Sequence, residues 1–273
     1  MGFALILPLM MTEAPNSQYP AAGNPSNTTE INTTKKMLFL KKLISGKALP
    51  EFIIVAALLL ISSGVILLAD IDLALLDKVF TNEQRWVYRD IEPWRFLYDY
   101  GALPGVIIGI GGACVFLLSF LFSGLRPCRK KALFLMLVLI LGTGGSVTAL
   151  KSFTDRPRPR HVETFNGDRK FAPIFSVGAG PGNSFPSGHA AIAFYVISPF
   201  FLYRDRRRGV ALLFLIGGLT YGAFMGAARM AQGGHFLSDI IWSGGLVYLA
   251  GWFFYHILNI SEEDKAWGPE PGG

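Results

Sequence analysis

Residues 209–239 read GVALLFLIGGLTYGAFMGAARMAQGGHFLSD. The uncharged run Gly209–Ala228 is long enough, as a helix rising about 1.5 Å per residue, to cross a hydrocarbon core roughly 30 Å thick. Arg229 closes that run, Gly233 and Gly234 break the helical pattern, and a second apolar run, Ser238–Leu258, begins soon after His235. The stretch reads as two membrane spans joined by a short turn that carries Arg229, His235 and Asp239. Ionisable groups at the edge of a bilayer are expensive, so their presence asks for a functional reason.

The whole chain is composed accordingly, with 51% hydrophobic residues against 16% charged, well outside the soluble average. Outward from the quoted stretch lie four more apolar runs, Phe52–Ala69, Gly101–Gly124, Ala132–Leu150 and His189–Tyr203. They predict an all-α, polytopic membrane protein: a six-transmembrane-helix bundle over residues 35–260. His189–Tyr203 is the shortest run. It becomes adequate if its helix starts at Ser187, whose hydroxyl would cap the first turn. Residues 1–34, rich in Asn, Thr, Pro and Ser, read as a disordered extension, and residues 261–273 as a polar tail ending in Gly and Pro. Phe3–Met11 is too short to span a bilayer and has no basic segment before it, which makes it a poor signal peptide.

The net charge of +6 does not point to nucleic acid, because the basic residues alternate with long apolar runs as loop charges do. Cys114 and Cys128 offer neither a disulfide framework nor metal-ligand spacing. Placing both termini inside puts Lys35 to Lys47, Arg126 to Lys131 and Arg204 to Arg208 on the inner side, in compact and nearly pure basic loops. The outer loops are longer and mix their basic residues with acids. Among them, Asp70–Tyr100 carries Trp86, Tyr88, Trp94, Tyr98 and Tyr100, a composition suited to a helix lying in the interface that shapes access for an amphipathic substrate. An ordinary connector with aromatic anchors would look the same.

Three polar clusters fall at outer span ends. In the first, Lys151 follows the third apolar run and Arg158 sits between Pro157 and Pro159, which bias it toward extended backbone. A point charge and a bidentate fork together suit a phosphoryl group, although a lone lysine there could simply snorkel to the interface. The second is Pro186-Ser187-Gly188-His189. A helix start binds anions, Gly188 permits close approach, Ser187 adds a donor, and His189 can protonate a leaving alkoxide. By itself the segment reads equally well as a turn entering a span. In the third, His235 and Asp239 are four residues apart and share a helical face, so the carboxylate can hold one imidazole nitrogen protonated while the other attacks phosphorus. Arg229 stands ready to bind the same phosphate. The histidines lack paired metal-ligand spacing and no cysteine lies near them, so no metal and no cofactor is expected; His161 and His256 match no cluster.

Taken together, these residues resemble the type 2 phosphatidic acid phosphatase (PAP2) superfamily. Its three signatures appear as Lys151 with Arg158-Pro159, as Pro186-Ser187-Gly188-His189, and as Arg229 with His235 and Asp239. Ala228 departs from the serine usual before the arginine, which removes one hydroxyl and leaves every charged or nucleophilic position in place. The resemblance implies His235 as nucleophile, Asp239 as its orienter, His189 as acid for the leaving group, and Lys151, Arg158, Ser187, Gly188 and Arg229 as the phosphate cradle. It implies a bacterial inner-membrane enzyme facing the periplasm that removes phosphate from a lipid without metal. Lipid A, undecaprenyl diphosphate and phosphatidylglycerol phosphate or phosphatidate are all open as substrates, and Gln232–Asp239 looks most like the lipid A phosphatases of the family. The alternatives are a lipid phosphotransferase using the same intermediate and a lipid or anion transporter, which would need no nucleophile. The expected partners are the bilayer and its lipid substrate.

Overall fold

The computed structural model describes residues 48–80, 86–177 and 182–261. The expected N-terminal extension, the basic stretch Lys35–Lys47 and all of the polar tail beyond Ser261 lie outside the described residues. Helix α1 is Ala48–Leu68 and α2 is Ile71–Asp77; α3, Trp94–Tyr100, runs on into α4, Leu103–Leu121. Helix α5 is Arg129–Leu137 and α6 is Ser146–Thr154, joined by the wider π-helical segment Val138–Gly145. After a loop come α7, Gly188–Phe194, continued through a 3-10 turn into α8, Pro199–Tyr203, and then α9, Arg208–Ala231, and α10, Leu237–Ile257.

Among the described residues, five helical stretches are long and apolar enough to cross a membrane: Ala48–Leu68, Trp94–Leu121, Ser123–His161, Arg208–Ala231 and Leu237–Ile257. The sixth expected span, Gly188–Tyr203, is shorter, roughly 24 Å at about 1.5 Å per residue. It does begin where the sequence suggests, with Ser187 as N-cap accepting a hydrogen bond from the amide of Ala190. All described secondary structure apart from one isolated bridge is helical, because inside lipid a backbone must satisfy its own polar groups.

The bundle is apolar outside and polar within. On α1, Leu58, Leu60, Ile61 and Leu68 face outward, whereas Ser63 is buried and accepts a hydrogen bond from Trp242 Nε1 at 2.8 Å. Since the lipid surroundings are as apolar as leucine, close packing must hold the helices together, and small residues allow it. Gly218, Gly222 and Gly226 form such a strip on α9, meeting Ile197, Phe194 and Ile240 respectively. The sequence analysis did not single out this four-residue spacing.

Between α5 and α6 the chain Val138–Gly145 includes Gly142, Gly144 and Gly145, and Thr143 Oγ1 donates to the carbonyl of Val138 at 3.2 Å. Gly142 abuts Ala250 on α10. The widened turn adds a residue to the helical repeat and so re-aims α6, the helix that carries Lys151. At the opposite end of the bundle, Arg204 makes a bidentate pair with Glu51, 2.9 and 2.8 Å, and Tyr248 donates to the same carboxylate at 2.7 Å. Arg129 donates to the carbonyl and hydroxyl of Ser119.

A methyl group on Gly222 would stand 2.0 Å from Phe194 Cδ1. Gly222→Val should therefore destabilise the bundle by about 1–3 kcal/mol, the usual cost of overpacking, and lower the midpoint of thermal unfolding in detergent; an unchanged midpoint would show that this helix contact contributes little.

Candidate active site

The three polar clusters meet at one end of the bundle. Lys151 lies in the last turn of α6, and its Nζ is 4.0 Å from where a Cβ on Gly188 would stand, so the absence of a side chain at Gly188 keeps the lysine beside the start of α7. Asp155, in the left-handed region at φ 43°, turns the chain out of α6. Arg158 then adopts the extended backbone its flanking prolines favour, φ −75° and ψ 153°.

Arg229 closes α9, buried, with Nη1 donating to Gln232 Oε1 at 2.5 Å and its guanidinium over the ring of Tyr98, 4.6 Å from the centroid. Tyr98 also stacks on His189, with ring centroids 5.1 Å apart and planes 22° from parallel. Helix α3 thus reaches over the site and touches both the acid candidate and the phosphate-binding candidate. The aromatic segment after α1 therefore folds onto the active end of the bundle; Gln232 Nε2 donates to the carbonyl of Trp94 at 3.3 Å. At Gly233 the backbone is left-handed, φ 60°, and a Cβ would collide with the Trp86 indole, so glycine is required twice over.

His235 and Asp239 are almost wholly buried. His235 Nδ1 is 3.4 Å from Asp239 Oδ2. That separation is long, and Nδ1 has no hydrogen-bond partner; Arg229 Nε, at the same site, is another buried nitrogen without one. Burial pushes the His235 imidazole down to about 4; Asp239 opposes this, and the charges of Arg229 and Lys151 reinforce it. The ring is therefore neutral near pH 7, as a nucleophile must be.

What holds Asp239 was not foreseen from the sequence. Arg156, fully buried, donates through Nη1 to Asp239 Oδ1 at 2.6 Å and to Ser238 Oγ at 2.8 Å. Its Nη2 donates to Asp72 Oδ2 at 2.8 Å and its Nε to the carbonyl of Ala172 at 2.9 Å. The guanidinium also lies 4.2 Å from the centroid of the Phe236 ring. Asp72 in turn accepts from the amide and hydroxyl of Ser238. Asp239 Oδ2 accepts from Ser184 Oγ at 2.6 Å and from the amide of Phe236 at 2.9 Å, capping the start of α10. The backbone joins in: Ser243 Oγ donates to the carbonyls of Asp239 and Ser187, which ties the second cluster to the third. Arg156 stands in the same Arg-Pro-Arg-Pro-Arg run as Arg158, and nothing in that alternation says which arginine turns inward. No group of three or more His, Cys, Asp or Glu suited to a metal ion occurs among the described residues.

Residues 131–262 match the sequence pattern of the PAP2 superfamily. The chain is 34% identical over 138 residues to the Lipid A 4'-phosphatase of Francisella tularensis subsp. novicida (strain U112), an alignment covering 50% of this chain and 61% of that relative. No solved structure matches the chain. The matched segment contains all eight residues expected in the site, but Asp72, Trp86 and Tyr98 come from the chain before it. The site is completed by helices outside the matched region.

Removing Arg156 would leave two buried carboxylates without their counter-charge, a loss of about 3–5 kcal/mol. Arg156→Met should accordingly lower thermal stability in detergent far more than Arg158→Met, whose side chain has no ion pair among the described residues. Equal losses in the two variants would overturn the structural role given to Arg156.

Proposed function

We propose that this protein is an integral-membrane lipid phosphatase that works through a phosphohistidine on His235. The observation that carries the reading is the convergence, at one end of an apolar bundle, of a buried neutral imidazole beside an anchored carboxylate with Lys151, Arg158 and Arg229. In the proposed reaction the Nε2 lone pair of His235 attacks phosphorus as the bond from phosphorus to the leaving oxygen breaks. Positive charge grows on the imidazole, and Asp239 Oδ2 draws in the Nδ1 proton, closing the 3.4 Å separation into a charge-assisted hydrogen bond. Lys151, Arg158 and Arg229, with the Ser187 hydroxyl and the Gly188 backbone, offset the charge on the equatorial oxygens.

His189 gives its proton to the leaving alkoxide. Burial, and after it the charges of Arg229, Lys151 and Arg158, disfavour a protonated His189, and the phosphate dianion that these cations bind offsets that penalty. In the second half of the cycle neutral His189 takes a proton from water, the oxygen attacks phosphorus, and the bond to His235 Nε2 breaks. Inorganic phosphate leaves and both histidines return to their starting states.

The membrane spans favour a lipid carrying the phosphate. An apolar groove of about 470 Å3, lined by Leu75, Val79, Trp94 and, near the end of α9, Ala227, Met230 and Ala231 among others, suits an acyl chain. The relative's name supports the 4'-phosphate of lipid A as the substrate. The compact basic loops favour a membrane orientation that turns the site to the periplasm and both termini to the cytoplasm.

Detergent-purified protein offered lipid A, undecaprenyl diphosphate and phosphatidylglycerol phosphate should release phosphate fastest from lipid A, at a rate that chelator does not change. His235→Ala should lose at least ~10³-fold in kcat and His189→Ala about 10²–10⁴-fold. Wild-type turnover in the first variant would eliminate the nucleophile assignment. Because burial lowers the pKa of His235, the free imidazole persists in acid: the His235 ring resonances, followed by NMR in detergent without substrate, should titrate only toward pH 4. A titration centred at 6.5 would mean that this imidazole is not held in a buried environment.

A further inference from the structure

The two histidines of the site are held differently. His235 has Asp239 beside it, whereas the His189 imidazole makes no hydrogen bond among the described residues. A histidine ring turns in a broad torsional well about its Cβ–Cγ bond, so an acid that must meet one leaving oxygen needs a neighbour to fix its plane. The neighbour present is Tyr98, stacked on the imidazole with ring centroids 5.1 Å apart and planes 22° from parallel.

Tyr98 is firmly placed, because α3 is tied to α9 on both sides of it. Gln232, directly after α9, donates to the carbonyl of Trp94 at 3.3 Å, and the hydroxyl of Tyr221 donates to the carbonyl of Gly101 at 2.9 Å. Packing reinforces these bonds: a Cβ on Gly101 would stand 2.4 Å from Met225 Cε, so the chain at the end of α3 lies directly on α9. Tyr98 itself is 42% exposed, too open for core packing to account for its place. It also precedes the segment 131–262 that matches the superfamily.

We propose that Tyr98 is the positioning residue of His189: its ring fixes the plane of the imidazole and, with the Arg229 guanidinium 4.6 Å from the same centroid, sets the acid in register with the phosphate. This role presupposes that His189 is the proton donor of the proposed reaction. An aromatic face orients an imidazole without occupying either nitrogen, and its negative charge density accommodates the cationic ring as well as the neutral one. A carboxylate in the same place would hold a proton on one nitrogen and resist the exchange between leaving oxygen and water that the cycle demands. The two histidines thus receive different orienters because one attacks and the other passes a proton back and forth.

Two phosphate monoesters that differ in their need for an acid test the role. Hexadecyl phosphate expels an alkoxide that must be protonated, whereas 4-nitrophenyl phosphate expels a stabilised phenolate. Since kcat/KM covers only the steps through release of the alcohol, hydrolysis of the phosphohistidine does not enter it. A misplacement of about 1 Å can cost about 10²-fold, so in full-length Tyr98→Leu protein in detergent the ratio of kcat/KM for the alkyl ester to that for the aryl ester should fall by about tenfold or more relative to wild type. Tyr98→Phe, which keeps the ring, should preserve the ratio. A merely structural loss, or one confined to Arg229, would lower both esters alike. Equal losses on the two esters in Tyr98→Leu, or a ratio as low in Tyr98→Phe as in Tyr98→Leu, would overturn the proposal. His189→Ala checks the reading beneath it and should lower the ratio at least as far as Tyr98→Leu; equal losses on both esters there would remove the acid role itself, and Tyr98 with it. A low ratio in His189→Ala beside an unchanged one in Tyr98→Leu would overturn the role of Tyr98 alone. In wild-type protein, where folding is not in question, the ring protons of Tyr98 and His189 should give a nuclear Overhauser cross-peak, and its absence would also overturn the role.

Discussion

Arg156 keeps a full positive charge inside the protein because every face of its guanidinium is used. Asp72, Asp239, Ser238 and the carbonyl of Ala172 receive its N–H groups, and the ring of Phe236 lies beside it. Such a cluster is a poor source of net stability, since desolvating three charged groups offsets most of their mutual attraction. What it provides is position. Three segments distant in sequence, α2, the loop after α6 and the start of α10, are fixed to one another by bonds of 2.6–2.8 Å, and the carboxylate beside His235 cannot rotate away without breaking several of them. The orientation of the imidazole rests on that constraint.

The remainder of the bundle brings these segments within reach. An apolar exterior gives the helices no reason to prefer one another over lipid, so the glycines of α9 carry the close approach to α7 and α10. Ser187 starts α7, and Arg229 ends α9; their placement beside one another follows from the contacts of Gly218 and Gly222 deeper in the bundle. The π-helical segment does the corresponding service for Lys151. Backbone irregularity at Val138–Gly145 and at Gly233 falls where a charged group or a ring is brought to the site.

Much of this was legible in the sequence, for definite reasons. Long uncharged runs have one stable solution in a membrane, so the helical class and the approximate spans were accessible without tertiary information, and so was the capping role of Ser187. Local spacing likewise placed His235 and Asp239 on one face and held Arg158 extended. The sequence did not disclose Asp72, 84 residues from Arg156 and 166 from Ser238, because a buried ion pair between distant segments leaves no periodic trace. Tyr98 and Trp86 read as interfacial anchors for the same reason: aromatic composition reports an amphipathic setting, and only the fold of α3 over the site shows that one ring stacks on His189 and the other packs on Gly233. The short Gly188–Tyr203 helix shows the converse limit, since hydropathy marks a run as apolar but does not establish that it spans the bilayer.

The contrast between two kinds of buried arginine bears most directly on chemistry. Arg156 is matched by carboxylates on both sides, and its charge is spent on architecture. Lys151, Arg158 and Arg229 have no carboxylate within ion-pair distance among the described residues, although Lys151 and Arg229 are mostly sheltered from water. Arg229 even leans on the face of a tyrosine and the oxygen of a glutamine, neutral partners that cannot offset its charge. Three cations held together at the end of an apolar bundle repel one another, and the fold bears that cost only next to one imidazole and one anchored carboxylate. In the proposed reaction a phosphate dianion would remove the repulsion and supply the negative charge under which His189 holds its proton, so that binding of the anion and readiness for catalysis become one event. The same electrostatics favours histidine as the proposed nucleophile: a neutral ring can be kept among cations without the penalty that an anionic nucleophile would incur on meeting an anionic substrate.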